Sequence, residues 1–69
     1  LSNEQKIEAV KFWNTNSEFH PLTCGVNGEH ILNPKIENEN VILICPVCGN
    51  KQTNIPSVIF DYYRRMHDL

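Results

Sequence analysis

The residues best placed to do chemistry are Cys45-Pro46-Val47-Cys48-Gly49, two thiols separated by two residues with a glycine after them. In a tight turn of that length both sulfurs reach one metal ion about 2.3 Å away, and backbone N–H groups point at the thiolates. Gly49 supplies the positive φ that the end of such a turn often needs. Cys24-Gly25 repeats the ending, and His20-Pro21-Leu22-Thr23-Cys24-Gly25 parallels the second run with one extra residue. An odd number of cysteines cannot close a complete disulfide framework, which points to metal binding in a reducing, cytoplasmic compartment. A thioredoxin-like redox pair would need a longer βαβ chain than 69 residues provide. Thiols that merely fill a core as small hydrophobes are common for a lone cysteine, but not for a pair punctuated by Pro and Gly.

The segment from about residue 20 to 55 resembles the zinc ribbon family, in which two such rubredoxin-type knuckles flank a hairpin and clasp one zinc ion. It also looks like small zinc-ribbon proteins of phages and bacteria. The resemblance implies a small α+β metal-stapled domain with a three-stranded antiparallel sheet and one structural Zn2+. The family usually supplies four cysteines and this chain has three, so a histidine is expected to complete a closed tetrahedral site with Cys24, Cys45 and Cys48. His30 gives the pattern Cys-x5-His-x14-Cys-x2-Cys; His20, the alternate, gives His-x3-Cys-x20-Cys-x2-Cys. The short repeat places His20 where Cys45 stands. A histidine ligand moves the balance toward zinc and away from the iron that the same knuckles also hold.

The elements that must position these side chains are legible on either side. Ser2-Asn3-Glu4-Gln5 spells a capping box ahead of a helix over about residues 3–14, with Ile7, Val10 and Trp13 on one face and Ala9 and Phe12 alongside. Asn14 to Glu18 has no period and reads as a loop. Strand character runs from His30 to Ile36 and again from Val41 to Ile44, with Glu37-Asn38-Glu39-Asn40 as the turn of a hairpin. If that turn centres on Asn38 and Glu39, partners have residue numbers summing to about 77, which sets His30 opposite Val47 and favours His30 as the ligand. A third strand is expected within Asn50 to Ile55, and a second helix over about residues 57–68, capped by Ser57 or Asn54. The whole chain, 1–69, is expected to be a single domain of helix, ribbon and helix.

A core this small supplies only about 3 to 5 kcal/mol, whereas a structural zinc contributes on the order of 10 kcal/mol or more, so the metal is expected to dominate folding. Four protein ligands leave no open position for substrate or water, and the scattered carboxylates form no acid–base pair; an enzyme is not expected. No apolar run approaches the roughly 18 residues of a membrane span, and the N-terminus lacks a signal-peptide core. The formal charge of −2 gives no general attraction to nucleic acid, although zinc ribbons as a family frequent transcription and replication machinery. Lys35, Lys51, Arg64 and Arg65 make a thin cationic footprint. The aromatic residues Phe12, Trp13, Phe19, Phe60, Tyr62 and Tyr63 exceed what a ribbon core easily encloses, which suggests docking on a protein. The expected function is therefore a protein-interaction or regulatory zinc module, with nucleic-acid binding as the alternative; the resemblance to phage proteins suggests host transcription machinery as the partner.

Overall fold

The computed structural model describes residues 1–16, 18–24 and 30–69; Gly25, which ends the first half of the short repeat, lies outside them. Helix α1 spans Asn3–Thr15. Its capping box is complete: the Gln5 N–H donates to Ser2 Oγ at 3.2 Å, and the Ser2 N–H donates to Gln5 Oε1 at 2.9 Å. Ala9 and Val10 are buried, Ile7, Phe12 and Trp13 are half-buried, and Glu4, Glu8 and Lys11 stay wet. The helix runs one residue past the expected end because Thr15 and Asn16 close it locally: Thr15 Oγ1 donates to the Lys11 carbonyl, and the Asn16 N–H to the Trp13 carbonyl.

Among the described residues the β-structure forms two antiparallel sheets, the three-stranded one expected and a separate two-stranded one. Strands β1 (Thr23–Cys24) and β2 (His30–Ile31) make one; β3 (Asn33–Glu37), β4 (Asn40–Ile44) and β5 (Lys51–Gln52) make the other, in the order β3-β4-β5. The expected hairpin register holds for the second sheet, from Asn33↔Ile44 to Glu37↔Asn40. Asn38 and Glu39 both take positive φ, 52° and 66°, which matches the two-residue hairpin turn whose twist suits its strands. That register stops at Asn33. The Leu32 N–H turns instead to the Leu22 carbonyl at 2.8 Å, so His30 faces Cys24 and not Val47. Burial of the Leu32 side chain in the core, 2% exposed, marks the break between the sheets.

Central strand β4 buries Val41, Ile42 and Leu43 in succession and delivers Cys45 into the interior. One continuous core joins Ala9 and Val10 of α1, Cys24, Leu32, Leu43, Cys45 and Ile59, with Trp13, Leu22, Ile55, Phe60 and Tyr63 packed around it. Helix α2 (Ser57–His67) contributes Ile59. Neither Ser57 nor Asn54 caps it: Pro56 stands at the N-cap with no side-chain hydrogen bond. Pro56 has the fixed φ of an N-terminal position, and its carbonyl accepts the Ile59 N–H. At the other end Asp68 is left-handed, and Arg64, Arg65 and His67 occupy the last turn, where the helix dipole favours cations.

The aromatic side chains serve this packing. Trp13 stacks on Phe19 at 4.2 Å between ring centroids, and Tyr62 meets Phe12, Trp13 and Phe19. Aromatic surface is thus engaged in part where α1 and α2 meet, while Phe12, Trp13, Phe19, Phe60, Tyr62 and Tyr63 all stay half-buried.

Candidate metal centre

Cys24 and His30 are opposite one another in the β1–β2 pair. Directly paired residues in an antiparallel ladder project to the same face with Cβ atoms about 5 Å apart, so two residues of local pairing suffice to join a thiol and an imidazole. Cys45 follows β4 immediately, and Cys48 lies in the turn before β5. The turn is closed by the Gly49 N–H to the Cys45 carbonyl at 2.9 Å and the Cys45 N–H to the Asn50 carbonyl at 2.9 Å. Gly49 has φ +76° with open space where a Cβ would stand, so the glycine is required by backbone conformation and not by crowding.

These two local devices converge. One ligand atom from each of Cys24, His30, Cys45 and Cys48 lies within 4.8 Å of all the others. A tetrahedron built on bonds of about 2.3 Å has edges of about 3.8 Å, so the group is of the right size for one ion after a small contraction. His30 presents Nδ1, 3.2 Å from Cys48 Sγ. Cys24 and Cys45 are buried, and Cys48 is exposed. Two buried thiols alone would fit a plain apolar core. Three thiols and an imidazole brought to one point from the β1–β2 pair and the turn after β4 do not, and the cluster is capable of holding a metal ion.

His20, the alternate fourth ligand, is not in the cluster. Its side chain is exposed, and its carbonyl accepts the Trp13 indole N–H at 3.1 Å. The parallel between His20 and Cys45 therefore does not extend to position: the first half of the site is a strand pair carrying Cys24 and His30.

Electrostatics within the group are uneven. Burial pushes the Cys45 thiol up, but the N–H groups of Cys48 and Val47 and the thiols of Cys48 and Cys24 outweigh it and lower the pKa to about 7. The Cys48 N–H is 3.2 Å from Cys45 Sγ. Cys48 is raised to about 11, first by its hydrogen bonds with Cys45 and Cys24, then by desolvation and by the charges of those two thiolates. One negative charge thus settles readily at Cys45, while three side by side repel. A divalent cation is the partner that makes three adjacent thiolates favourable.

Two asparagines that sequence reasoning did not connect with the site hold it in place. Asn50 Nδ2 lies 3.6 Å from Cys24 Sγ, while its backbone carbonyl ties down Cys45, so one residue touches both halves. Asn14, read from sequence as the start of a loop, is the last-turn residue that fastens the β1–β2 pair to α1. Its Oδ1 accepts the Leu22 N–H at 2.8 Å, and its Nδ2 donates to the Leu32 carbonyl at 2.9 Å. The carboxamide bridges Leu22 and Leu32 where only one direct backbone bond joins them. Nothing short of the fold itself would reveal these contacts, because neither residue has a distinctive spacing from the cysteines.

Among the described residues no helix is long and apolar enough to cross a membrane. No family model, curated protein or solved structure matches this chain.

Proposed function

We propose that the chain is a structural-zinc module of the zinc-ribbon type, whose ion joins the β1–β2 pair to the turn after β4. The convergence of Cys24, His30, Cys45 and Cys48 within 4.8 Å carries this reading. Three thiolates and an imidazole suit zinc, and four protein ligands leave no vacancy for a water or substrate, so the ion serves folding and not catalysis. Metal analysis of the purified chain and of two variants tests it. His30→Ala should lose zinc and His20→Ala should keep it; zinc retained in His30→Ala and lost in His20→Ala would refute the ligand set.

The partner proposed is a protein. Three thiolates subtract three charges and zinc adds two, taking the formal −2 to −3, which disfavours phosphate backbones. Lys51, one of the few candidate cations, is engaged by Glu37 at 2.8 and 3.1 Å. Beside the ligands, Ile31 is 46% and Val47 70% exposed, apolar side chains held on a rigid base. A gel-shift assay with single- and double-stranded polynucleotides at low salt should show no complex; salt-sensitive retention would favour the nucleic-acid alternative.

A further inference from the structure

Resting on the zinc reading, we propose that Cys48 is a modification site: the sulfur at which a hydroperoxide opens the metal centre. The three thiols differ in protection. Cys45 Sγ is fully buried and accepts the Cys48 N–H, and Cys24 is 7% exposed with the Asn50 amide at its sulfur. Cys48 is exposed, in a turn next to the solvated side chain of Val47. Its near neighbour is His30 Nδ1, a nitrogen that the ion occupies in the proposed centre and that cannot then donate a hydrogen bond. Among the described residues no other N–H group is directed at Cys48 Sγ. In the zinc-loaded centre all three sulfurs are thiolates, so access and hydrogen bonding decide among them: hydrogen bonds withdraw electron density from a thiolate and burial denies an oxidant access to it.

The chemistry balances with the peroxide as the oxidant. The Cys48 thiolate attacks one peroxide oxygen, an S–O bond forms as the O–O bond breaks, and hydroxide leaves; sulfur loses two electrons and the peroxide gains them. The Cys45 thiolate, three residues back in the same turn, then attacks the Cys48 sulfenic sulfur and expels a second hydroxide, forming the Cys45–Cys48 disulfide. Two ligands are lost together, and zinc leaves.

The test uses the zinc-loaded full chain. Hydrogen peroxide is added in the presence of a chromophoric zinc chelator and a sulfenic-acid trap, with peptide mapping of the adducts over time. Trapped adduct should appear first at Cys48, exceed that at Cys24 and Cys45 by about tenfold, and rise in step with zinc release. Equal labelling, first labelling at Cys24 or Cys45, or zinc fully retained through prolonged exposure would overturn the proposal. A purified chain that carries no zinc and takes none up fails before oxidant is added, and that outcome refutes the underlying metal reading instead.

Discussion

Replacing Asn14 probes how firmly the metal-bearing strand pair is held to the rest of the molecule. In Asn14→Ala the Leu22 N–H and the Leu32 carbonyl both lose their partner, in a part-buried setting. An unsatisfied backbone group costs about 1 to 3 kcal/mol when buried, and partial water access argues for the low end, giving about 2 kcal/mol for the two. Because Leu22 precedes β1 and Leu32 follows β2, the loss falls on the elements that carry Cys24 and His30. If metal binding and folding are one equilibrium, 2 kcal/mol appears as an apparent zinc affinity weaker by about 30-fold. Competition against a chelator of known affinity reads this directly, with denaturation of the zinc-loaded chain as a second measure. Asn14→Asp sharpens the reasoning: its carboxylate still accepts the Leu22 N–H but meets the Leu32 carbonyl lone pairs and the negative end of α1, so it should be no better than Ala. Loss of less than about threefold in Asn14→Ala, or wild-type affinity in Asn14→Asp, would refute the bridge as a support of the centre.

Other perturbations separate backbone, ligand support and surface charge. Gly49→Ala should destabilise the zinc-loaded chain by about 1 kcal/mol through its positive φ alone, seen as a lower denaturation midpoint. Asn50→Ala removes the amide beside Cys24 Sγ but keeps the backbone bond to Cys45, and chelator competition should show zinc affinity reduced by about tenfold. Lys51, hydrogen-bonded to Glu37, holds that carboxyl below the usual carboxylate range. The pair's contribution to stability is therefore present above the unfolded-state pKa of Glu37 and is lost as pH falls through the lower folded value. It is small, since both side chains are solvated. NMR titration of the Glu37 carboxyl should show its midpoint move upward in Lys51→Met.

The parts of the molecule governed by local chemistry were legible in the sequence. The capping box at Ser2 and Gln5, the α1 face through Ala9 and Val10, and the β3–β4 register all follow from near neighbours along the chain. The Cys45–Gly49 turn is of the same kind. Where tertiary partners compete, near-neighbour patterns do not decide the structure. The hairpin register does not carry the case for His30: extended past Asn33 it sets His30 opposite Val47, whereas the pull of the core on Leu32 redirects the chain to Leu22 and makes Cys24 the partner of His30. Asn14 looked like a loop former because its carboxamide can bond to many backbone groups. Its actual partners, Leu22 and Leu32, are distant along the chain and have no local signature. Likewise the rings of Trp13, Phe19 and Tyr62 pack on one another where α1 meets α2, a contact between residues distant along the chain that has no local signature.

Chelation of the purified, zinc-loaded chain tests the central claim most directly. Cys24 and Cys45 lie within the same core as Val10, Leu43 and Ile59, so pulling the ion away should loosen that core as a unit. Native mass spectrometry should show a single zinc per chain, and EDTA should abolish both the zinc and most of the far-ultraviolet circular dichroism, with recovery on adding zinc back. A chain that carries no metal, or one whose spectrum is the same before and after its metal is stripped, would contradict the account.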